Sequence, residues 1–319
     1  MLNINQEIIK SKLDGLELYE LYNTKELNDL ISNPSQLKKE KWQQFTNELQ
    51  QLKEFKSLSQ IINDTQSMIK VKYLKSKSSK FGRVYSQFSM SLGSIRKEIR
   101  NYICKDIYFD IDIVNAHPII ISQTLKQHHI NVPILNQYIT NREEILQEVM
   151  DLYLVNRFQA KQLFIILLYY GKFETWIKNQ SLSVRTKEPT EFIKSFIEER
   201  NTYGDIIIND NDFLEFTIKK AKAKSNKIDY NHIGSVVSMW CQNIEIQILE
   251  TIYDYCILKN YIKKSISVLC FDGIMLEKKL ISPTILTEFN EIIKTKYNLD
   301  LEFVIKVPET DIIILETNI

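Results

Sequence analysis

The chain has 319 residues, of which 44% are hydrophobic and 25% charged, with a formal net charge of +1. That length allows two or three subdomains with a substantial buried interior. The near-neutral balance excludes a polycation, so nucleic-acid contacts would have to come from local clusters. No basic-then-apolar leader is present and the longest apolar run, 163–170, is short, so neither a signal peptide nor a membrane span is expected.

Residues 1–69 read as helical and amphipathic, with Trp42, Phe45, Leu49 and Leu52 at helical spacing. From 70 to 83 the character changes. Lys70, Lys72, Lys75, Lys77, Lys80 and Arg83 follow one another with no acid between, interleaved with Tyr73, Phe81 and Tyr85. A phosphate backbone suits such a run, and a solvated basic loop is the plainer alternative. A short basic segment carrying Arg96 and Arg100 then leads into a strand predicted over 107–113. Alternation along that strand puts Asp110 and Asp112 on one face. Asp110 either assists a metal there or pairs with a nearby cation. Asn115 and Pro118 mark the start of a helix reaching 127. The adjacent pair His128 and His129 points two ways and is a poor metal site.

Pro133 opens a helical region to about residue 150. The next helix, 155–170, places Arg157, Lys161, Ile165 and Tyr169 on one slowly drifting stripe. Its other positions are apolar, so it should be mostly buried, and Gly171 should end it. Segments 173–179 and 190–200 look helical. Five lysines in 219–227 suit either a phosphate backbone or an exposed face. A long helix over 234–255 carries Trp240, Cys241, Gln242 and Glu245. Two apolar runs then meet at Asp272-Gly273 within 267–278, a hairpin signal. A helix over 283–297 and strands at 301–307 and 311–315 close the chain. Cys104, Cys241, Cys256 and Cys270 have no metal-ligand spacing, and buried reduced thiols in an intracellular protein are expected.

Asp112 and Asp272 are expected to meet and to share divalent metals. Hard carboxylate oxygens suit magnesium or manganese, and a metal pair supports in-line displacement at phosphorus. Arg157 and Lys161 could neutralise a triphosphate, and Tyr169 or Tyr170 could stack beneath a base or sugar. Together these parts would make a template-directed polymerase. No Gly-x4-Gly-Lys-Ser/Thr run occurs, so a nucleotide-hydrolysing helicase module is not expected.

Three motifs stand in a definite order: Asp112 followed by Asn115-Ala116-His117, then Arg157-x3-Lys161-x7-Tyr169-Tyr170-Gly171, then Phe271-Asp272-Gly273. Over about residues 80–280 this order resembles that of the family A DNA polymerases and their single-subunit RNA polymerase relatives. The stretch Asp110-Ile-Asp112-x-x-Asn115-x-His117-Pro118 is most similar to the small polymerase modules of virophages and related DNA transposons. The resemblance implies an α+β fold of right-hand architecture, with an antiparallel palm sheet and helical fingers. Its parts would be a helical thumb-like region at 1–79, palm at 80–125 and 230–319, and fingers at 126–229. It implies primer-dependent DNA synthesis with magnesium or manganese, on a DNA primer-template with nucleoside triphosphates. Asp112, Asp272 and Lys161 would be catalytic, and Asp112, Asp272 and Ile113 would hold the metals. Arg157, Lys161, Tyr169, Tyr170, His117 and Asn115 would bind nucleotide. Arg83, Lys80, Gln242, Arg96 and Arg100 would bind nucleic acid. A helicase domain or subunit is an implied partner, in an intracellular, viral or mobile-element setting. Two alternatives stay open: a primase or RNA polymerase on the same fold, and a catalytically silent nucleic-acid-binding module that loads a helicase.

Overall fold

The computed structural model describes residues 11–34, 45–76, 82–180, 188–208 and 231–306. The architecture is α+β, with two antiparallel sheets. The first sheet contains β1 (Glu17–Asn23), β2 (Gln60–Ile61), β3 (Gln66–Lys75) and β4 (Val84–Ser86). Its order is β1-β3-β2, with β4 paired to the far end of β3. Strand β3 alternates cleanly: Ser67, Ile69, Val71 and Tyr73 face the core, while Lys70 and Lys72 face solvent.

This sheet corrects the reading of residues 1–69 as helical. Helices α1 (Thr24–Ser32) and α2 (Phe45–Ser57) are present, but two of the strands precede residue 62 and β3 begins at Gln66. The period of β1 is obscured because Glu20 faces inward and is fully buried among apolar neighbours. Glu20 accepts a 2.5 Å hydrogen bond from the Tyr73 hydroxyl and a 2.6 Å bond from the Leu92 amide. A carboxyl at a core position reads as a solvent position in the sequence. Part of the lysine run is likewise a strand face, not a loop.

The second sheet, in the order β6-β7-β5-β8, contains β5 (Tyr108–Ile113), β6 (Val268–Cys270), β7 (Gly273–Glu277) and β8 (Phe303–Ile305). A parallel bridge between Tyr19 and Ile266 ties the two sheets together. Helix α3 (Lys97–Cys104) leads into β5, and between β5 and β6 runs a long helical stretch: α4 (Ala116–Gln127), α5 (Pro133–Thr140), α6 (Arg142–Tyr153), α7 (Arg157–Leu168), α8 (Phe173–Asn179), α9 (Glu191–Ile208) and α10 (His232–Leu258). After β7, α11 (Ile285–Tyr297) packs on α10 and β8. Tyr138, Phe164, Phe192 and Phe196 interlock α5, α7 and α9.

Local chemistry fixes the ends of α7. Asn156 and Gln159 form a reciprocal capping box at its start. At its end Tyr170, not Gly171, takes the left-handed conformation, with φ of 60°. Gly171 is required by space: a Cβ there would lie 2.5 Å from the Ile166 side chain. Arg200 donates to the carbonyls of Leu167 and Gly171, satisfying that terminus. Cys104, Cys241 and Cys256 are buried and unpaired in disulfides, as is the less buried Cys270. The strand expected at 311–315, the lysines of 219–227, and Trp42, Lys77, Lys80 and Phe81 lie outside the described residues. Among the described residues, no helix is long and apolar enough to cross a membrane.

Candidate functional site

The two aspartates singled out from the sequence open into one cavity. Asp112 lies near the end of β5, and Asp272 lies in the turn joining β6 to β7. Because β7 pairs with β5, with Ile274 opposite Ile111, the turn falls beside Asp112. The sequence suggests a turn centred on Asp-Gly. Instead Cys270 pairs with Gly273, so Phe271 and Asp272 form the two-residue loop, and Phe271 takes the left-handed backbone with φ of 56°. Gly273 begins the returning strand, and a Cβ there would lie 2.4 Å from the Ile111 carbonyl oxygen and 3.0 Å from Asp112 Oδ1. The missing side chain lets the two acidic strands approach.

The cavity has a volume of about 390 Å³ and is lined by groups from β5, the β6–β7 turn and the helical stretch, with Arg83 from just before β4. Asp112 and Asp272 form one wall with Ile113 and Asn115. Lys161 of α7 and Arg142 of α6 lie on it, as do His117, Tyr169, Arg83, Gln242 and Glu245. Burial, then the charges of Asp112 and Glu245, push the Asp272 carboxyl from 3.8 up to about 7, with Arg83 opposing. Lys306, one residue beyond β8, pairs with Asp112 Oδ2. Burial would lower the Lys306 pKa, but Asp112, Asp110 and Asp272 hold it above the usual lysine value. Asp112 Oδ1 is buried and has no hydrogen-bond partner. Asn115, in the left-handed conformation at the start of α4, has a buried Nδ2 in the same condition. Burial and the charges of Arg142 and Arg157 lower the Lys161 pKa.

A second chain of contacts braces the cavity. The Tyr169 hydroxyl hydrogen-bonds His117 Nδ1, and His117 Nε2 lies against Glu245 Oε1. Arg83 grips the same carboxylate through Nε at 2.8 Å and Nη2 at 3.0 Å. Burial opposes ionisation of Glu245, but His117 and then Arg83 hold its pKa below the usual range. Gly234 lets α10 start against the Tyr169 carbonyl, where a Cβ would lie 1.8 Å away. Asn231 donates to that carbonyl at 2.6 Å.

Several expectations need correction. Arg157 does not line the cavity; it forms a two-point ion pair with Glu143 at 2.9 and 2.7 Å, and its side chain is half-exposed. Arg142 of α6, not Arg157, lines the cavity together with Lys161. Tyr170 turns away, its hydroxyl donating to the Arg200 carbonyl; Tyr169 is the tyrosine on the cavity. Arg100 is buried against Asp110 at 3.0 Å, and Arg96 pairs with Glu48 at 2.8 Å, so neither presents a free guanidinium to a phosphate backbone. Asp110 therefore takes the second of its two expected roles, pairing with a cation. Lys80 lies outside the described residues. Gln242 lines the cavity beside Gly82, where a Cβ would lie 3.0 Å from its side-chain oxygen.

Glu245, Arg142 and Lys306 had no sequence assignment. Glu245 sits three residues after Gln242 on the predicted helix, one turn along the same side, which is a usable signal. Lys306 is two residues beyond Val304, the partner of Asp112, so strand alternation places it on the same face. Among the described residues, no group of three or more His, Cys, Asp or Glu side chains is arranged to hold a metal.

No family model matches the chain. A Sputnik virophage protein described as "Putative helicase V13" is 35% identical over 224 residues, covering 70% of this chain and 28% of the virophage protein. The chain thus spans well under a third of that relative's length. The relative's viral source is in keeping with the viral or mobile-element part of the setting expected from the sequence. The helicase description overturns the resemblance to family A DNA polymerases, and with it the reading of this chain as a DNA-directed DNA polymerase: the relative is named for a helicase and not for a polymerase.

Proposed function

We propose that the chain is a nucleotide-handling module of a viral nucleic-acid enzyme. Its Asp112–Asp272 cavity takes a nucleoside triphosphate together with magnesium or manganese. The observation that carries this reading is that a carboxylate from β5 and one from the β6–β7 turn line one cavity, with Asp112 Oδ1 buried and unpartnered and with Lys161 and Arg142 on the same cavity.

The donor set fits a hard divalent ion. Both ligands are carboxylates, and magnesium commonly uses one or two carboxylates and completes its shell with water and substrate phosphates. That mode needs no third protein ligand. An ion held there would neutralise phosphate charge and favour attack at phosphorus. The chain's own groups do the rest. Lys161 and Arg142 donate hydrogen bonds to the outer phosphate oxygens, Arg142 through a planar fork of N–H groups. Asn115 Nδ2 offers a donor otherwise left unpaired. Tyr169, its hydroxyl held by His117, which Glu245 in turn orients, presents a held ring to the sugar or base.

The helicase description of the virophage relative supports a nucleic-acid role and nucleotide use. Since the chain has no Gly-x4-Gly-Lys-Ser/Thr run, the proposed nucleotide site is this cavity and not a phosphate-cradling loop. Titration with a fluorescent ATP analogue tests the reading. Binding is expected with magnesium and should be lost in EDTA. Asp112→Asn combined with Asp272→Asn should weaken it at least about tenfold, the equivalent of one buried charged contact. Affinity unchanged by both EDTA and the double substitution would refute the proposal.

A further inference from the structure

Beside the cavity lie two exposed aromatic rings in contact, with a third exposed ring three residues along the chain from one of them, and the nucleotide reading uses none of the three. Phe271 is bonded directly to Asp272 and is 45% exposed. Tyr85, on β4, is also 45% exposed and packs edge-on against it, with ring centroids 6.0 Å apart. The Arg83 guanidinium lies over the Phe271 ring at 5.0 Å while its nitrogens hold Glu245. Phe88, in the short turn after β4, is 83% exposed.

Two of these rings are held out at a backbone cost. Phe88 and Phe271 have φ of 61° and 56°, a region unfavourable for a bulky side chain. A large apolar ring that is both strained and solvated gains nothing for folding. The surroundings suit a polyanion. Tyr85 pairs with Leu74, so it shares a sheet face with Lys72 and Lys70, both exposed. Glu17 on that face is already paired with Lys70.

We infer that Tyr85, Phe88 and Phe271, with Lys72, form a stacking platform for a single strand of nucleic acid whose bases lie on the rings and whose phosphates meet the lysine face; Arg83, committed to Glu245, braces the Phe271 ring and is not a phosphate contact. Aromatic platforms bordered by cations bind single strands because every base has a π-face, whereas duplex bases are already stacked. The inference stands apart from the nucleotide site. A strand on these rings needs neither metal nor triphosphate.

The test is fluorescence anisotropy with labelled twelve-nucleotide dT and rU strands and a matching duplex, in EDTA, without nucleotide, at low salt. Wild type should bind at least one of the single strands more tightly than the duplex; a preference between dT and rU identifies which nucleic acid is taken. Phe88→Ala and Tyr85→Ser should each weaken binding about five- to a hundredfold, the range for losing one base–ring stack. Lys72→Gln should reduce the salt dependence by about one counterion. Phe88 and Tyr85 are solvent-exposed, so these variants should fold, and unchanged circular dichroism would verify it. Equal affinity of the Phe88→Ala, Tyr85→Ser double variant and wild type would overturn the inference. So would equal affinity for duplex and single strand, or no binding by wild type. Retained ATP-analogue binding in the same variants separates this failure from failure of the nucleotide site.

Discussion

Replacing Gly273 by alanine tests whether the approach of β5 and β7 builds the site. The new methyl group would sit 2.4 Å from the Ile111 carbonyl oxygen and 3.0 Å from Asp112 Oδ1. Ordinary contact requires roughly 3.4 Å, so the strand pair would have to part by about 1 Å, and the obstacle is backbone that cannot rotate aside. Overpacking of this kind costs about 1–3 kcal/mol. For a chain this long that is a fall in Tm of roughly 1.5–5 °C. The displaced strand is the one carrying Asp112, so ATP-analogue affinity should fall about tenfold or more at temperatures where the variant remains folded. Gly15→Ala is the control. Gly15 has φ of 97° but nothing within 4 Å of the new methyl group, so it should lose stability without losing affinity. Differential scanning calorimetry and the nucleotide titration read the two effects. A Gly273→Ala protein with wild-type Tm and affinity would refute the reasoning.

Three further outcomes follow from particular contacts. Burial raises Glu20 from 4.5 to about 7, against the hydrogen bonds from Tyr73, Leu92 and Ser91 and the charge of Arg100. The folded state therefore binds the extra proton, and stability should fall as pH rises through the window from about 4.5 to about 7, by roughly 3 kcal/mol in all. Glu20→Gln should flatten that slope in urea denaturation between pH 4.5 and 8; an unchanged slope would contradict it. Glu245→Gln leaves Arg83 with a neutral partner in a buried place and should cost about 3 kcal/mol in the same assay. Arg142→Ala should weaken ATP-analogue binding about tenfold, whereas Arg157→Ala, losing an exposed pair with Glu143, should change affinity less than about twofold and stability by at most ~1 kcal/mol.

The elements around the site were legible because their patterns are local. Strand β5 and helices α4, α7 and α8 follow from alternation, caps and an apolar stripe, and α10 and α11 extend only a few residues beyond or short of their predicted ranges. The meeting of Asp112 and Asp272 was legible because a hairpin returning beside a strand is an economical pairing. What escaped were choices made between elements. Arg157 and Arg142 are both near Lys161, and only the packing of α6 on α7 decides that Arg142 lines the cavity while Arg157 pairs with Glu143. Tyr169 and Tyr170 are separated by the helix end itself, where the left-handed Tyr170 sends its ring toward α9. The first sheet was missed because Glu20 breaks the alternation of β1 from inside the core. The polymerase resemblance rested on order and spacing of a few residues, a signal that the virophage comparison did not sustain.

Electron paramagnetic resonance of manganese, titrated with protein and ATP, addresses the carboxylate pair most directly. The free-ion signal should be quenched by wild type with ATP beyond what ATP alone achieves, and Asp112→Asn with Asp272→Asn should return it to the ATP-only level. The same quenching by wild type and by the doubly substituted protein would show that the ion binds elsewhere and would contradict the assignment.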